Sequence, residues 1–356
     1  MKTYKSLIVA IFIFFISLCL LFISLYQYEL SPTSKDDTII EIEIPSGTSR
    51  VKVAKMLKKE GIIKNDKAFY YYIRLKKYTI KASTYELSKD MGVKKIAKIL
   101  NKGNIYNPNS VRITFQEGIN INKIASIIEN NTNNKKEDVL NKAKDKAYLK
   151  MQIKKYWFLT DDILDDNIYY GLEGYLYPDT YEFENKDVTI EEIFTKMLDQ
   201  EEKKLKTYKE TIYERDENVH KIITIASICE LEGSEKYRKD IAGVFYNRLD
   251  KGMNLGSDVT TYYGANVDMK ERDLTTDEIN KSNAYNTRSN ALAGKLPAGP
   301  VSNPSISSIE AALNPNKHNY YYFVADKYKK VYFTKTGAEH LQLVENIKKR
   351  GDWIEW

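Results

Sequence analysis

Residues 221–233, KIITIASICELEG, contain a carboxylate in a setting where it could transfer protons. Read as a helix, this segment is apolar on almost every side. Its polar exceptions Thr224, Ser227 and Glu230 are three residues apart and form one narrow stripe. A helix that is apolar all round belongs in a protein interior. Because burial disfavours an ionised carboxylate, we expect Glu230 to be protonated more often than a surface glutamate. A protonated carboxyl in an apolar wall can donate a proton to a glycosidic oxygen.

The same pattern has a second interpretation, in which Glu230 forms a buried ion pair with an Arg or Lys elsewhere in the chain. The helix alone does not distinguish a proton donor from a structural ion pair. The remaining sequence is needed to choose between them.

The N-terminus indicates a membrane location. Residues 6–28 contain no charged side chain, are dense in Ile, Phe and Leu, and exceed the roughly 20 residues needed to cross a bilayer. Lys2 and Lys5 precede this run, which predicts that residues 1–5 are cytoplasmic and that the large domain is extracytoplasmic. A cleavable signal peptide is the competing interpretation, but no Ala-x-Ala-like site follows, so we favour a retained single-pass anchor. Residues 29–37 form a polar linker.

The composition excludes several other functions. The chain has 356 residues, and its net charge of +6 is spread without the basic block that nucleic-acid binding requires. Cys19 lies in the predicted anchor and Cys229 in the apolar helix, so no disulfide is expected. With three histidines and no HExxH motif or Cys pair, we expect no metal site. No P-loop, GxGxxG or GxSxG motif is present, and we expect no cofactor.

The hydrophobic patterns predict an α+β protein. Residues 38–88 read as strand, helix, helix and strand, and a further short helix ends at Gly103, which together define a small subdomain over residues 38–110. So small a unit suits binding or spacing better than catalysis. Residues 111–356 mix helices and strands and form the expected catalytic domain.

Three segments of this larger domain look irregular. LEGYLYPDTYEF, at residues 172–183, combines helix-breaking Gly and Pro with clustered aromatics, which predicts an ordered loop at a site. LGSDVTTYYG, at residues 255–264, looks rich in turns. Residues 282–304 are too rich in Gly, Pro, Asn and Ser for regular structure, and long loops in compact domains tend to be functional.

The outer part of the chain resembles the endolytic murein transglycosylases of the MltG (YceG-like) family. The matching segments follow the family's order over most of residues 38–345; they are LEGYLYPDTY, IASICELEG, IAGVFYNRLDKGMNLGSD, AYNT, LPAGPVSNP, SSIEAALNP and YYYFVAD. The resemblance implies a single membrane anchor, a LysM-like subdomain with the βααβ order, and a mixed α/β catalytic domain.

The resemblance also assigns roles to individual residues. The family's catalytic acid is the first Glu of the motif A-S-[IL]-[VI]-E-x-E, and that position is Glu230 in this chain. Glu232 matches the second Glu, for which we expect a supporting role; the alternative is an exposed carboxylate at the helix end. Val259 and Arg288 stand where the family usually has Pro and Tyr, which leaves the shape of the substrate groove open.

Several further polar residues are candidates for contacts to substrate or for support of the site. For each of them the alternative is a hydrogen bond that stabilises its own loop, and for Glu173 we favour that alternative. The candidates are Glu173, Ser227, Asn247, Asp258, Tyr285, Asn286 and Asn303.

The reaction implied by the resemblance needs one carboxyl. Glu230 would protonate the oxygen that links N-acetylmuramic acid to N-acetylglucosamine, then remove the proton of the muramyl C6 hydroxyl as it closes onto C1 in a 1,6-anhydro ring. The resemblance further implies cutting inside glycan strands and a partner among the glycan-polymerising enzymes. Two alternatives remain: a non-catalytic peptidoglycan-binding or cell-division scaffold, and a hydrolase with Glu173 or Asp258 as second carboxylate.

Overall fold

The structure is a computed structural model that describes residues 2–45, 47–103, 110–216 and 218–353, without the side chains of residues 2–11. The chain divides into two compact units, Met1–Ser110 and Val111–Trp356. Both units contain helices and an antiparallel strand pair, which confirms the predicted α+β class. Residues 104–109, at the end of the expected small subdomain, lie outside the described residues.

The first helix matches the predicted membrane segment. Helix α1 spans Lys2–Glu29, and its window Phe12–Glu29 has a mean hydropathy of 1.7. Among the described residues, this is the one helix long and apolar enough to cross a membrane. Large apolar side chains such as Phe14 and Phe22 are exposed along it, as is expected of a segment whose solvent is lipid.

The rest of the first unit has the predicted order of strand, helix, helix and strand. Strands β1 and β2 pair antiparallel, with Ile42 opposite Tyr85, and both of these side chains are buried. Gly103 ends the last helix in the left-handed conformation, as predicted for a C-cap glycine. The elements are β1 (Ile40–Ile44), α2 (Arg50–Lys59), α3 (Asp66–Leu75), β2 (Ser83–Leu87) and α4 (Val93–Lys102).

The second unit is mainly helical. In the described part of this unit, β3 (Val111–Thr114) pairs antiparallel with β4 (Thr180–Phe183), and β5 (Tyr322–Ala325) with β6 (Val331–Thr334). The elements are β3 (Val111–Thr114), α5 (Ile121–Asn131), α6 (Lys136–Lys144), α7 (Lys146–Lys155), β4 (Thr180–Phe183), α8 (Ile190–Leu205), α9 (Lys209–Glu214), α10 (Val219–Glu232), α11 (Arg238–Asp250), α12 (Asp258–Ala265), α13 (Thr276–Asn280), α14 (Ile306–Leu313), β5 (Tyr322–Ala325), β6 (Val331–Thr334) and α15 (Gly337–Lys349).

Helix α10 lies at the centre of this unit. Asn218 caps its N-terminus by accepting a hydrogen bond from the Lys221 amide at 2.9 Å. Every residue from Ile222 to Cys229 is buried, and the helix packs against α11, α12 and α14. The prediction of an interior helix is therefore confirmed, and Glu230 lies in its last turn.

Two of the predicted irregular segments are regular. Thr180–Phe183, expected in a loop, forms β4, because Val111–Thr114 supplies a partner strand almost seventy residues earlier in the chain. The segment predicted to be rich in turns contains helix α12, whose Val259, Thr260 and Tyr263 are buried against the core. Tertiary packing here overrides the weak helix propensity of β-branched and aromatic residues.

The start of the predicted site loop is fixed by a glycine. Gly174 has φ +86°, and a Cβ built there would lie 2.4 Å from Cβ of Pro300 and 2.9 Å from Cγ2 of Ile223 in α10. Only a residue without a side chain fits both this conformation and this contact. The loop is thereby pressed against α10 and against the segment that precedes α14.

We predict that Gly174→Ala destabilises the protein much more than Gly252→Ala. Gly252 also has positive φ, +67°, but nothing lies within 4 Å of its Cβ position, so Ala there costs only the backbone strain of about 1–2 kcal/mol. At Gly174 overpacking adds about 1–3 kcal/mol, for a total of roughly 2–5 kcal/mol. Thermal unfolding of the full chain in detergent measures both variants. If both variants lost the same stability, the close contact between residue 174 and Pro300 would add no cost of its own.

Candidate active site

The carboxylate of Glu230 meets the start of helix α14. Its Oε1 accepts a hydrogen bond from Nη2 of Arg238 at 2.5 Å. Its Oε2 accepts from the Ser305 amide at 2.8 Å, from Oγ of Ser305 at 2.6 Å and from Oγ of Ser308 at 2.8 Å. The side chain is 6% exposed. Glu230 is thus a nearly buried acceptor with four donors, one of them cationic.

This environment contradicts the expected apolar wall around Glu230. A guanidinium, a backbone amide and two hydroxyls all donate to the carboxylate. The buried ion pair that was the alternative interpretation is present, with Arg238 as the cation. The reason is that the polar stripe of α10 faces the first turn of α14, whose residues lie 75 positions further along the chain.

Arg238 is held by several acceptors in addition to Glu230. Its Nη1 donates to Oγ of Ser305 at 2.8 Å and to Oγ of Ser307 at 2.6 Å, and its Nε donates to the Gly233 carbonyl at 3.3 Å. The residue is buried at the N-terminus of α11. Both charges of the pair are therefore fixed by neutral hydrogen bonds, which a buried ion pair requires.

Sequence reasoning missed Arg238, Ser305 and Ser308. One signal was present: three serines within four residues, S-I-S-S, directly after the irregular segment of residues 282–304. A serine-rich N-terminus offers hydroxyl and amide donors and favours anions. Nothing in the sequence pairs that signal with Glu230.

The loop between β3 and α5 lies directly on Glu230. A Cβ built on Gly118 would be 3.3 Å from Cγ of Glu230 and 3.3 Å from Cδ2 of Leu231. The Gly118 amide donates to the Asn303 carbonyl at 2.9 Å, which fixes the loop to the segment before α14. The close approach requires a glycine, whose φ here is +75°.

Glu117, the residue before this glycine, is a second carboxylate near Glu230. Partial burial raises its pKa, and the negative charges of Glu230 and Glu235 raise it further. The positive charges of Arg238 and Lys204 act in the opposite direction. Glu117 is nevertheless exposed and was not among the predicted site residues.

The aromatic side chain of Tyr177 lies near the N-terminus of α14. Burial raises its pKa to about 12, and the Ile306 amide in the first turn of α14 acts in the opposite direction. The ammonium of Lys204 lies 5.0 Å from the ring centroid. The predicted aromatic loop therefore contributes a tyrosine close to the Glu230 cluster.

Glu232 points away from Glu230, toward the segment that begins α12. It is partly buried and accepts a hydrogen bond from Oγ of Ser257 at 2.5 Å. Burial, and to a smaller extent the charge of Asp258, raises its pKa to about 7, against the effects of Ser257, Arg288 and Arg248. The alternative of an exposed carboxylate at the helix end is thus wrong.

Glu173 is the centre of a buried hydrogen-bond network. Its two oxygens accept from the Ile121 amide at 3.1 and 3.0 Å, from the Tyr263 hydroxyl at 3.1 Å and from Nδ2 of Asn303 at 3.0 Å. Burial raises its pKa to about 8. At 1% exposure it ties its own loop to α5, as the favoured interpretation held.

Both candidate asparagines are buried, and both hydrogen-bond to groups inside the protein. Asn303 accepts from the Leu176 amide at 2.9 Å and donates to Glu173. Asn286 donates to the Ile279 carbonyl at 2.9 Å. Neither side chain reaches the surface, so the loop-stabilising alternative describes both.

Ser227 and Asn247 also serve as internal connections. Oγ of Ser227 accepts from the Val301 amide at 3.0 Å and is fully buried. Nδ2 of Asn247 donates to the carbonyls of His318 at 2.8 Å and Tyr320 at 2.9 Å. The two side chains position the segments on either side of α14 rather than a substrate.

The last two candidates differ in exposure. Tyr285 is fully buried, with its ring centroid 4.8 Å from those of Tyr169 and Tyr263. Asp258 is exposed and pairs with Arg288, whose Nε lies 2.6 Å from its Oδ1. Of all the predicted candidates, Glu230 included, Asp258 alone therefore presents its side chain mainly to solvent.

A polar cavity of about 270 Å³ borders the Glu173 network. Tyr263 lines it and bonds Glu173, and Asn120 lines it next to the Ile121 amide that also bonds Glu173. The other lining residues are Asn122, Lys123, Ser126, Lys136, Tyr169, Tyr170, Asn266, Val267, Asp268 and Glu271.

The described residues contain no cluster of three or more His, Cys, Asp or Glu that could hold a metal ion. Nδ1 of His220 lies 2.7 Å from the Tyr175 hydroxyl, and its Nε2 lies 2.9 Å from the Ala298 carbonyl. This histidine has a structural role between α10 and the loop before α14, and none of the described residues is assigned to a metal.

Comparison with known proteins assigns the chain to a family. The sequence model of the YceG-like family matches residues 42–346, which include both strand pairs of the second unit and the Glu230 cluster. The chain belongs to the YceG-like family. The match covers most of the chain and confirms the resemblance seen in its motifs.

Relatives of this YceG-like chain have been named and solved. The endolytic murein transglycosylase of Bacillus subtilis (strain 168) is 39% identical over 316 residues, which are 87% of this chain and 86% of that protein. The endolytic murein transglycosylase of Streptococcus pneumoniae (strain D39) is 34% identical over 337 residues, 88% of this chain but 60% of that protein. A crystal structure of a YceG-like protein from Listeria monocytogenes superposes with a TM-score of 0.62 at 37% identity, covering 87% of this chain and all of that one.

We predict strong energetic coupling between Arg238 and Glu230 in this YceG-like chain. Arg238→Met leaves a nearly buried carboxylate without its cation and should cost roughly 3–5 kcal/mol of unfolding free energy. Adding Glu230→Gln removes the uncompensated charge, so the double variant should be more stable than Arg238→Met alone. Chemical denaturation of both single variants and the double variant measures the coupling. Additive losses would contradict the pairing.

We also predict that Glu232→Gln changes the pH dependence of stability. The pKa of Glu232 is about 7 in the folded chain, above the ordinary 4.5, so its protonated carboxyl contributes its full stabilisation below about pH 4.5. This contribution, about 3 kcal/mol of unfolding free energy, is lost as pH rises through about 7. As pH rises from 4 to 8, the melting temperature should therefore fall less steeply for Glu232→Gln than for the unsubstituted chain. Glu173 is unchanged in both proteins, so its own titration cancels in the difference.

Proposed function

We propose that this YceG-like chain is a lytic transglycosylase that cleaves the glycan strands of peptidoglycan at internal positions. The named relatives in Bacillus subtilis and Streptococcus pneumoniae are both endolytic murein transglycosylases, which supports the reaction class. The observation that carries the proposal is the Glu230 cluster, where the family's motif carboxylate is held by four donors beside the Gly118 loop.

The reaction breaks the bond between N-acetylmuramic acid and N-acetylglucosamine without water. The C1–O bond to the leaving sugar breaks through an oxocarbenium-like state, and the muramyl C6 oxygen closes onto C1 to give a 1,6-anhydro end. Glu230 gives its proton to the oxygen of the departing sugar as the C1–O bond breaks, and the resulting carboxylate stabilises the positive charge at C1 and then takes the proton of the C6 hydroxyl. Arg238 and the serines hold its carboxylate in one orientation for both tasks.

Acid and base are then the same residue, as the resemblance implies. Glu230 ends the cycle protonated, as it began, so the reaction needs no second carboxyl and no water.

The location follows from helix α1. We propose that it is a single-pass anchor with residues 1–5 in the cytoplasm and the catalytic unit outside, supported by the apolar window Phe12–Glu29 and by Lys2 and Lys5 before it. Residues 38–110 would then be a LysM-like spacing or glycan-binding subdomain, and residues 111–356 the catalytic domain. An enzyme tethered there acts close to nascent glycan, so that its cutting sets strand length and its partner is a glycan-polymerising enzyme.

A non-catalytic peptidoglycan-binding scaffold is the second candidate, because a buried ion pair such as Arg238–Glu230 can be purely structural. A hydrolase that uses Glu173 or Asp258 is not favoured. Glu173 is buried among its three donors, and Asp258 is paired with Arg288.

We predict that the full chain converts uncrosslinked glycan strands into products with 1,6-anhydro-muramyl ends. Glu230→Gln should lower the rate at least 10²-fold, because an amide cannot take up the C6 proton. Liquid chromatography with mass spectrometry separates the products. Reducing ends would indicate a hydrolase, and binding without cleavage a scaffold. Glu278→Gln, which removes a carboxylate far along the chain in α13, is the matched control and should retain full activity.

A further inference from the structure

The positive charge of this protein is concentrated in its first unit. Residues 29–103 contain 17 Lys and Arg against 9 Asp and Glu, although the whole chain has a net charge of only +6. Residues 111–356 contain 36 Lys and Arg against 40 Asp and Glu, so the second unit is net negative. The basic excess therefore belongs to the unit that continues directly from helix α1, and it favours a partner with negative charge on that side.

The segment that follows helix α1 is fixed to the rest of the first unit. Leu30 is 4% exposed within the core of this unit, and its carbonyl accepts a hydrogen bond from the Val93 amide at 3.0 Å. The Thr33 amide donates to the Lys89 carbonyl at 3.1 Å. The expected polar linker is thus bonded through its backbone to α4 and to the loop before it. The unit therefore has a fixed position relative to the end of α1.

The length of the apolar run sets the depth of that end in a membrane. Residues 6–28 carry no charge and span about 34 Å as a helix, against about 30 Å of hydrocarbon in a bilayer. The last turn of the run contains Tyr26 and Tyr28 and therefore lies at the outer boundary of the hydrocarbon, where tyrosine is favoured. Any group that contacts this turn lies at the depth of the lipid headgroups.

Two lysines from other elements contact this turn. Nζ of Lys64 donates to Oγ of Ser31 at 2.7 Å and lies 3.8 Å from the ring centroid of Tyr28. Nζ of Lys94, in the first turn of α4, donates to Oε1 of Gln27 at 3.1 Å. Within the described part of the chain, neither ammonium forms a salt bridge with a carboxylate. Neutral partners thus hold both lysines in place and leave their charges uncompensated.

Helix α4 extends this basic surface. Its sequence VKKIAKILNK has four lysines and no carboxylate. It buries an apolar face that includes Ile96 and Leu100, while Lys94, Lys95 and Lys98 are exposed. An amphipathic helix with only lysines on its outer side is suited to an anionic surface.

The fold reverses the charge that the sequence places next to the membrane helix. The residues that directly follow the apolar run are acidic, with Glu29 in the last turn of α1 and then Asp36 and Asp37. Lys64 and Lys94 reach the same level from positions 33 and 67 residues away from the groups they bond. Tertiary structure therefore places ammonium groups where the sequence alone shows a negative flank.

We propose that Lys64, Lys94 and the exposed lysines of α4 bind the phosphates of anionic phospholipids in the outer leaflet, an inference that rests on the proposed membrane anchor. Each ammonium has three N–H donors, of which Lys64 uses two and Lys94 one inside the protein. The remaining donors reach phosphate oxygens. Lipid phosphate is favoured over a soluble anion because its charge lies at the depth that α1 fixes for these lysines. The first unit is thereby seated on the membrane surface.

The test uses the full chain in nanodiscs of phosphatidylcholine mixed with phosphatidylglycerol. Native mass spectrometry after release into detergent measures which lipid stays bound. The unsubstituted chain should retain phosphatidylglycerol in preference to phosphatidylcholine. Lys64→Gln and Lys94→Gln should each lower that preference about fivefold, the effect of one basic residue near an anionic surface. Lys64→Arg combined with Lys94→Arg keeps both charges and should keep the preference.

Lys52→Gln combined with Lys55→Gln is the matched control. Both lysines are exposed on α2 of the same unit, and the control removes as much charge as Lys64→Gln combined with Lys94→Gln. The control should keep the preference for phosphatidylglycerol. Lys94 is exposed and makes one side-chain hydrogen bond, so Lys94→Gln alone carries the test if Lys64→Gln does not fold.

Three results would overturn the assignment while leaving the anchor in place. They are no preference in the unsubstituted chain, an unchanged preference in the Lys64→Gln and Lys94→Gln variants, and an equal loss in the control. Failure of the unsubstituted chain to enter nanodiscs would instead overturn the proposed anchor, and this inference with it.

Discussion

The site depends on one buried charge and the groups that compensate it. An ionised carboxylate taken out of water is costly unless cationic and hydrogen-bonding partners replace the lost solvation. Glu230 obtains these partners from two other helices: Arg238 from the start of α11, and Ser305 and Ser308 from the start of α14. The N-terminal end of α14 carries partial positive charge, which adds to the stabilisation. The pair therefore joins α10, α11 and α14 at the point where the chemistry is proposed.

A second buried carboxylate, that of Glu173, helps to fix the loop that packs on Glu230. Glu173 bonds the Ile121 amide and Asn303, and Asn303 in turn bonds the Gly118 loop. The loop over Glu230 is thus held by a network whose own carboxyl never reaches solvent. This explains why so many polar residues of the irregular segments are buried: they fix the position of the loops and do not form the surface that a glycan would touch.

Burial alone does not determine what a carboxylate can do in this protein. Glu173 and Glu232 have raised pKa values of about 8 and about 7, because burial is the dominant influence and neither forms an ion pair with a cation. Glu230 is also nearly buried, but the guanidinium of Arg238 pairs with one of its oxygens. Glu117 is exposed, yet partial burial and the negative charge of Glu230 raise its pKa. The partners that distinguish these carboxylates come from distant parts of the chain.

The sequence by itself determined the local structure and the identity of the central residue. Hydrophobic periodicity predicted the interior helix α10 and the βααβ order of the first unit, because each depends on contacts within a short segment. The motif around Glu230 identified the family. Tertiary structure alone decided that Arg238 neutralises Glu230, that Asn286 and Asn303 are internal, and that Glu117 lies beside the site. Periodicity reports whether a residue is buried, whereas its charge state depends on partners brought together from as far as 75 residues away.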